Sequence, residues 1–378
     1  MIGFNKPYFT GKETEYIRQA VGLEKISGNG VFTHKCQQFF EQKYGFHKVL
    51  LTTSCTTALE MSAILINIKP EDEVIIPSYT FVSTANAFAL RGARIIFADS
   101  SPINPNIDAD KLEQLITPRT KAIVVVHYAG IACDMEKIMK LASKYQLYVV
   151  EDAAQAIDSY FLDRPLGSIG HLSCFSFHET KNIMAGEGGM LVINDKQFNE
   201  RAEIIWEKGT NRSAFFRGEV DKYTWIDIGS SFLPSDIIAA FLFAQLENLD
   251  EIQRKRRQIW ETYFKGLKYL EEDELIRLPV IPRYATNNAH MFYMVCKSLG
   301  QRTALIETLK KCGVNAIFHY LSLHQSTYFS NKYKGEELPQ SDKYSNCLVR
   351  LPMYYELTEE QVNYIISSVS AFFNKLAV

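Results

Sequence analysis

No apolar run in this chain approaches the roughly 20 residues that a membrane-spanning helix needs, so a bilayer-crossing protein is not expected. The 378 residues contain no C-x-x-C pair, no G-x-x-x-x-G-K-S/T phosphate loop, no internal repeat and no low-complexity tract. The missing phosphate loop argues against a nucleotide hydrolase. Seven cysteines, odd in number and scattered, fit reduced and mostly buried thiols better than a disulfide framework. Charge of one sign is lacking too. The net charge of −2 is spread over interspersed acids and bases, which argues against a general nucleic-acid or anionic-membrane binder. The opening Met1-Ile-Gly-Phe-Asn-Lys-Pro7 lacks the charged-then-apolar layout of a secretory leader, and the expected location is the cytoplasm.

What is present is a long, aromatic-rich chain, 47% hydrophobic with 20 Tyr and 24 Phe, whose length calls for more than one core. Thr10-Gly-Lys-Glu13 reads as a capping box opening a helix to about Val21. Strand-like runs follow at Lys48–Leu51, Glu73–Ile76, Arg94–Ala98, Ala122–Val126, Leu147–Val150, Cys174–Phe177 and Met190–Ile193. Helical spacing fills the gaps at Thr56–Ile66, Val82–Leu90, Ala109–Ile116 and Met135–Tyr145. This alternation predicts an α/β fold, a mostly parallel sheet with helices on both faces. Near Pro234 the pattern changes to one long or kinked helical stretch, Ser235–Lys268, with a solvated basic patch Arg254–Arg257. A smaller α+β unit follows, with strands at Met291–Cys296 and Val314–Phe318 and helices at Thr303–Cys312 and Thr358–Leu376. We therefore expect a large domain over 1–250 and a small one over 251–378.

Ligands in such sheets bind beyond the carboxyl ends of the strands, and the chemistry-bearing residues cluster there. Val149-Val-Glu-Asp152 is a strand closing on an acid, which could be a metal-binding carboxylate or the partner of a pyridinium nitrogen. Without a phosphate loop the second reading is favoured. Ser176 closes another strand, and Lys181 follows in a short polar turn before the Gly186-Glu-Gly-Gly189 cluster. Most lysines are solvated charges, but a Schiff-base lysine needs such a sheltered place. Thr52-Thr-Ser54-Cys55-Thr56-Thr57 follows a strand and opens a helix, so it is either an ordinary N-cap or a phosphate cradle. Phe81 could be core or could stack on a flat ring. His319 and His324 lack acidic or Cys partners at ligand spacing, so no metal is expected.

Longer stretches narrow this. Pro77-Ser-Tyr-Thr-Phe81-Val-Ser-Thr-Ala-Asn86, Val126-His-Tyr-Ala-Gly130, Val149-Val-Glu-Asp152-Ala-Ala-Gln155 and Cys174-Phe-Ser-Phe-His-Glu-Thr-Lys181-Asn182 occur in order. Glu207-Lys-Gly-Thr-Asn-Arg-Ser213 and Tyr223-Thr-Trp-Ile-Asp-Ile-Gly-Ser-Ser231 follow. With these motifs nearly the whole chain resembles the DegT/StrS-type sugar-nucleotide aminotransferases, a branch of the fold-type I pyridoxal phosphate enzymes. The resemblance implies that Lys181 carries pyridoxal 5′-phosphate and shuttles the proton, Asp152 pairs with the pyridine nitrogen and Gln155 meets the ring hydroxyl. It further implies that Phe81 stacks on the ring and that Cys55, Thr56 and Ser176 bind the phosphate. His127, Tyr128, Tyr320 and His324 fall in motifs implied to approach the sugar or nucleotide, or are core aromatics.

Two departures stand out. Many members have Ser-Gly-Thr where this chain has Ser54-Cys55-Thr56. Many also have an asparagine from the second subunit where Ser231 stands, which makes Ser231 the candidate phosphate contact in a homodimer with shared sites. The implied substrates are a dTDP-linked 4-keto-6-deoxyhexose and L-glutamate. Related dehydratases carry histidine at the position of Lys181, so the lysine points to amino transfer. A non-catalytic cofactor-binding regulator is the rival reading, and the chain has no helix-turn-helix or basic stripe to support it.

Overall fold

In the computed structural model residues 1–376 are described. Nine strands precede residue 200: β1 (Lys48–Thr52), β2 (Glu73–Pro77), β3 (Arg94–Ala98), β4 (Thr120–Val126), β5 (Tyr148–Asp152), the two-residue pair β6 (Tyr160–Phe161) and β7 (Arg164–Pro165), then β8 (Leu172–Ser176) and β9 (Gly189–Ile193). Seven of them form one sheet in the order β1-β9-β8-β5-β4-β2-β3, with β9 alone antiparallel to its neighbours. Strand residues alternate between two cores. Leu51, Ile75, Ile123, Val149 and Val192 face one, and Leu50, Val74, Val124, Val150 and Leu191 face the other. Burial on both faces is why these strands read as unbroken Val/Ile/Leu runs rather than as apolar–polar alternation.

A third core is built by helix Leu249–Glu272, helix Leu299–Lys311, helix Glu359–Leu376 and the antiparallel pair β10 (Phe292–Val295) and β11 (Leu348–Leu351). The first of these helices belongs to both units. Its Leu249 and Ile252 join the sheet core, while Ile259, Trp260, Tyr263, Leu267 and Leu270 join the third. A division at residue 250 therefore stands as our proposal, since it cuts one continuous helix near its start. Among the described residues no helix is long and apolar enough to cross a membrane.

Several expectations need correction. The first helix runs Glu13–Gly22 with no side-chain cap at Lys12. Glu13 instead takes the amides of Thr10 and Gly11 at 2.7 and 2.9 Å. The segment 109–116 forms two 3₁₀ turns, Ala109–Lys111 and Glu113–Leu115, rather than an α-helix. The stretch 235–268 is two helices, Asp236–Leu246 and Leu249–Glu272, broken at Glu247–Asn248. The expected strand at 314–318 is reduced to two isolated bridges, Ile2 with Val314 and Ile317 with Arg350. In the basic run, Arg256 points inward and donates to the carbonyls of Ala289 and His290 at 3.1 and 2.7 Å. Six cysteines are buried and Cys312 is exposed.

Candidate active site

Parallel winding carries the ends of β1, β2, β4, β5 and β8 to one sheet edge, and a cavity of about 420 Å³ opens there, within the size range of small-molecule sites. Ser54, Cys55, Thr56, Phe81, Asp152, Gln155, Ser176, Lys181 and Tyr320 all line it. A larger surface recess of about 740 Å³ beside β3 gathers no comparable set of nucleophile, buried acid and anion cradle.

Because β9 returns antiparallel beside β8, the loop 177–188 leaves and re-enters the sheet at this edge. Its own hydrogen bonds extend the ladder: Phe177 N to Gly188 O at 2.8 Å, Glu179 N to Gly186 O at 2.9 Å and Ala185 N to Phe177 O at 2.7 Å. Lys181 projects from this loop into the cavity. Burial, aided by the Arg350 cation, lowers its pKa below the ordinary lysine value, and Cys55 and Asp152 oppose the shift. A larger share of neutral amine at a given pH is what a nucleophilic lysine requires.

Asp152, last residue of β5, is buried. Thr84 Oγ1 donates to its Oδ2 at 2.7 Å, the Ala154 amide donates to Oδ1 at 3.2 Å, and Cys55 Sγ lies 4.0 Å from Oδ1. Burial pushes the Asp152 pKa up against these hydrogen bonds and the Lys181 charge. A buried carboxylate facing a cavity suits a cationic ring N–H.

Helix Cys55–Leu65 opens with a capping box, in which the Thr57 amide donates to Ser54 Oγ at 3.2 Å and the Ser54 amide donates to Thr57 Oγ1 at 3.1 Å. The first helical amides, those of Cys55 and Thr56, have no carbonyl within the helix and point outward with the helix dipole, a site for a phosphate. Gly189 permits this packing, because a Cβ there would lie 2.3 Å from the Ser54 carbonyl carbon. Phe81 stands at the N-cap of helix Val82–Ala89, 53% exposed, its ring 6.0 Å from that of Tyr320. Gln155 accepts from the Ala129 amide at 2.6 Å and donates to Tyr320 Oη at 3.1 Å. These residues could hold a pyridoxal phosphate: the 54–56 turn would take its phosphate, Asp152 its ring nitrogen and Lys181 its aldehyde carbon.

Four predicted residues lie outside the cavity lining. His127 is buried behind β4, its Nε2 2.9 Å from Glu151 and its Nδ1 accepting from the Cys133 amide at 3.2 Å. Tyr128 is buried one layer back, its Oη 2.7 Å from Nδ1 of His319, which does line the cavity. His324 packs against Ser78 Oγ at 2.7 Å and Asp342 at 3.6 Å. Ser231 is exposed and bridged to Glu207.

Sequence reasoning missed His178, His290 and Arg350, all of which line the cavity. The orientation of Asn182 is fixed because its Nδ2 donates to the Asn288 carbonyl at 2.9 Å. Its Oδ1 therefore accepts from His290 Nδ1 at 2.8 Å, and His290 Nε2 is left as an unprotonated acceptor. Burial, then the Lys181, Arg256 and Arg350 charges, keep this imidazole neutral. Arg350, on β11, has a buried Nε without a hydrogen-bond partner. Burial lowers its pKa, while Tyr128, Tyr320 and Tyr79 act in the opposite sense.

Residues 7–370 match the DegT/DnrJ/EryC1/StrS aminotransferase family. GDP-perosamine synthase from Escherichia coli O157:H7 is 30% identical over 376 residues, covering 98% of each chain. Spore coat polysaccharide biosynthesis protein SpsC from Bacillus subtilis strain 168 is 31% identical over 353 residues, 89% of this chain and 88% of its own. Among solved structures, the aminotransferase TlmJ from Streptoalloteichus hindustanus superposes with a TM-score of 0.91 at 29% identity over 100% of both chains. The chain belongs to the DegT/DnrJ/EryC1/StrS aminotransferase family and is a pyridoxal phosphate-dependent sugar aminotransferase.

Proposed function

We propose that this enzyme moves an amino group from L-glutamate to C4 of dTDP-4-keto-6-deoxyglucose, giving a dTDP-4-amino-4,6-dideoxyhexose of the galactose series for cell-surface polysaccharide. The observation that carries the chemistry is the convergence of Lys181, Asp152 and the 54–56 cradle on one cavity. The sugar nucleotide rests on the motif resemblance, including Pro77–Asn86, Val126–Gly130 and Cys174–Asn182.

When bound, pyridoxal phosphate supplies an electron sink for the charge left when a proton departs from carbon. Asp152 would hold a proton at the pyridine nitrogen, and the Thr84 hydroxyl, donating at 2.7 Å, orients that carboxylate and favours its ionised form. The free amides of Cys55 and Thr56 at the helix start would anchor the phosphate. Lys181 Nζ takes the proton from the donor's Cα and, in the second half, delivers one to the sugar carbon. Arg350, which lines the same cavity as Lys181, receives the donor's α-carboxylate.

Incubation of the holoenzyme with glutamate and dTDP-4-keto-6-deoxyglucose should release 2-oxoglutarate and a single amino sugar whose NMR couplings show an axial 4-amino group. An equatorial amine would assign the glucose series instead. Reaction only with a 3-keto sugar, or only with the GDP-linked sugar, would refute the substrate assignment while leaving the aminotransfer intact. No 2-oxoglutarate release at all would favour a non-catalytic binder.

We further propose a homodimer with shared sites. Phe216, Tyr223, Trp225, Ile226 and Ile228 are exposed in the segment leading to Ser231, and apolar exposure of this extent marks an interface. Sedimentation should give twice the chain mass of 43.2 kDa, and Trp225→Asp should shift the protein toward monomer with loss of cofactor affinity. A monomeric, fully active wild type would exclude the shared site.

A further inference from the structure

The first residues of the chain form a strap between the two units. Ile2 N donates to Gly313 O at 2.7 Å, and Ile2 O accepts from Asn315 N at 3.0 Å. The Phe4 carbonyl accepts from Met353 N at 3.3 Å, and Lys6 pairs with Glu356 at 2.5 Å. These contacts tie the strap to the small unit. Beyond them, Asn5 Nδ2 donates to the Glu179 carbonyl, two residues before Lys181, at 3.4 Å. The Tyr8 carbonyl accepts from Gln245 at 2.8 Å.

Midway along this strap the Phe4 ring lies 4.7 Å from the guanidinium carbon of Arg350. Arg350 also lines the cavity that holds Lys181. Its guanidinium thus has an aromatic face on one side and the cavity beside it, while its Nε lacks an acceptor. Arginine carries large rotamer freedom. A stacked aromatic face both attracts the cation and restricts its plane.

We propose that Phe4 is a positioning residue for the amino donor, holding the Arg350 guanidinium in the plane from which it receives the donor's α-carboxylate. The inference rests on the reading of Arg350 as the carboxylate's partner. It makes the N-terminal strap a working part of donor recognition, although no strap side chain need touch the donor. It assigns the strap no part in sugar recognition, because the keto sugar brings no carboxylate to the reacting carbon.

The two half-reactions separate the possibilities. The donor half is followed by the cofactor's absorbance when glutamate is mixed with holoenzyme, and the sugar half by mixing aminated enzyme with the keto sugar. Phe4→Leu keeps apolar bulk and removes the π face. It should raise the glutamate concentration for half-maximal rate by roughly three- to thirtyfold, with the limiting rate and the sugar half unchanged. Phe4→Tyr should restore wild-type behaviour, and 4-aminobutyrate, the donor's decarboxylated analogue, should not distinguish Phe4→Leu from wild type. Arg350→Gln should show the larger donor defect, with Arg350→Lys as the variant that keeps the charge if glutamine prevents folding. If the Arg350 variants lose donor affinity but Phe4→Leu does not, the inference about the strap is wrong and the carboxylate assignment stands. If the Arg350 variants leave the glutamate dependence unchanged, the carboxylate assignment itself fails. An equal loss in both halves for Phe4→Leu would show a merely structural ring and overturn the proposal.

Discussion

The Lys181→Ala variant should fold, bind pyridoxal phosphate reversibly and turn over at least about a thousandfold more slowly than wild type. The loop that carries the lysine is held by main-chain bonds between Phe177 and Gly188, Glu179 and Gly186, and Ala185 and Phe177. None of these involves the lysine side chain, so truncation leaves the loop in place. The Cys55 and Thr56 amides and the Asp152 carboxylate remain to hold the cofactor. Removing a desolvated amine also removes a charge that burial disfavours, so thermal stability should hold or rise slightly. Borohydride reduction followed by intact-mass measurement is the direct check: wild type retains the cofactor's mass permanently and the variant does not. Lys181→Arg should be equally inactive, since a guanidinium cannot give up its proton at working pH. Near-normal turnover in either variant would remove Lys181 from the chemistry.

The second large effect is at Asp152. Asp152→Asn is nearly isosteric but cannot hold a proton at a ring nitrogen, and kcat should fall by about two to four orders of magnitude. Stability moves in the opposite direction in the cofactor-free protein. The folded pKa of Asp152 lies above its ordinary 3.8, chiefly through burial. The folded state therefore binds this proton more tightly than the unfolded chain does. As pH rises through the folded pKa that advantage disappears and the ionised carboxylate destabilises the fold. At neutral pH apo Asp152→Asn should melt at or above apo wild type. Cofactor reverses the order, because the wild-type carboxylate gains a cationic partner and the amide does not, so the rise in Tm on adding pyridoxal phosphate should be smaller in the variant. Thermal scans at pH 5 and pH 8, with and without cofactor, test both signs.

Much of this site was legible because its parts close strands. Asp152 ends β5, Ser176 ends β8, and Ser54–Thr56 turns from β1 into a helix, so local spacing placed them on one edge without knowledge of the tertiary fold. Arg350 and His290 offer no such signal. They reach the cavity only because the β10–β11 unit docks against the sheet, and their neighbours in sequence carry no motif. Helix Val31–Tyr44 was invisible for a related reason. The amides of Phe32 and Thr33 are capped by the distant Asp236 carboxylate at 3.2 and 2.8 Å, a partner no local pattern predicts. His127 and His324 were drawn toward the site by sequence position, yet the carboxylate of Glu151 and the hydroxyl of Ser78 hold both rings in the interior.

The antiparallel return of β9 has a stereochemical consequence. With the loop clamped in the sheet at both ends, the lysine's Cα is a stationary post and only its methylene chain can swing. Every atom that gives a proton to Nζ or takes one from it must fall on the arc this tether sweeps, above one face of whatever flat ring lies beneath. With Lys181 as the proton carrier, donor carbon and sugar carbon would be addressed from the same side in both halves of the cycle. The handedness of the new amine is then decided by which way the sugar lies over the ring, while the lysine stays where the sheet has fixed it.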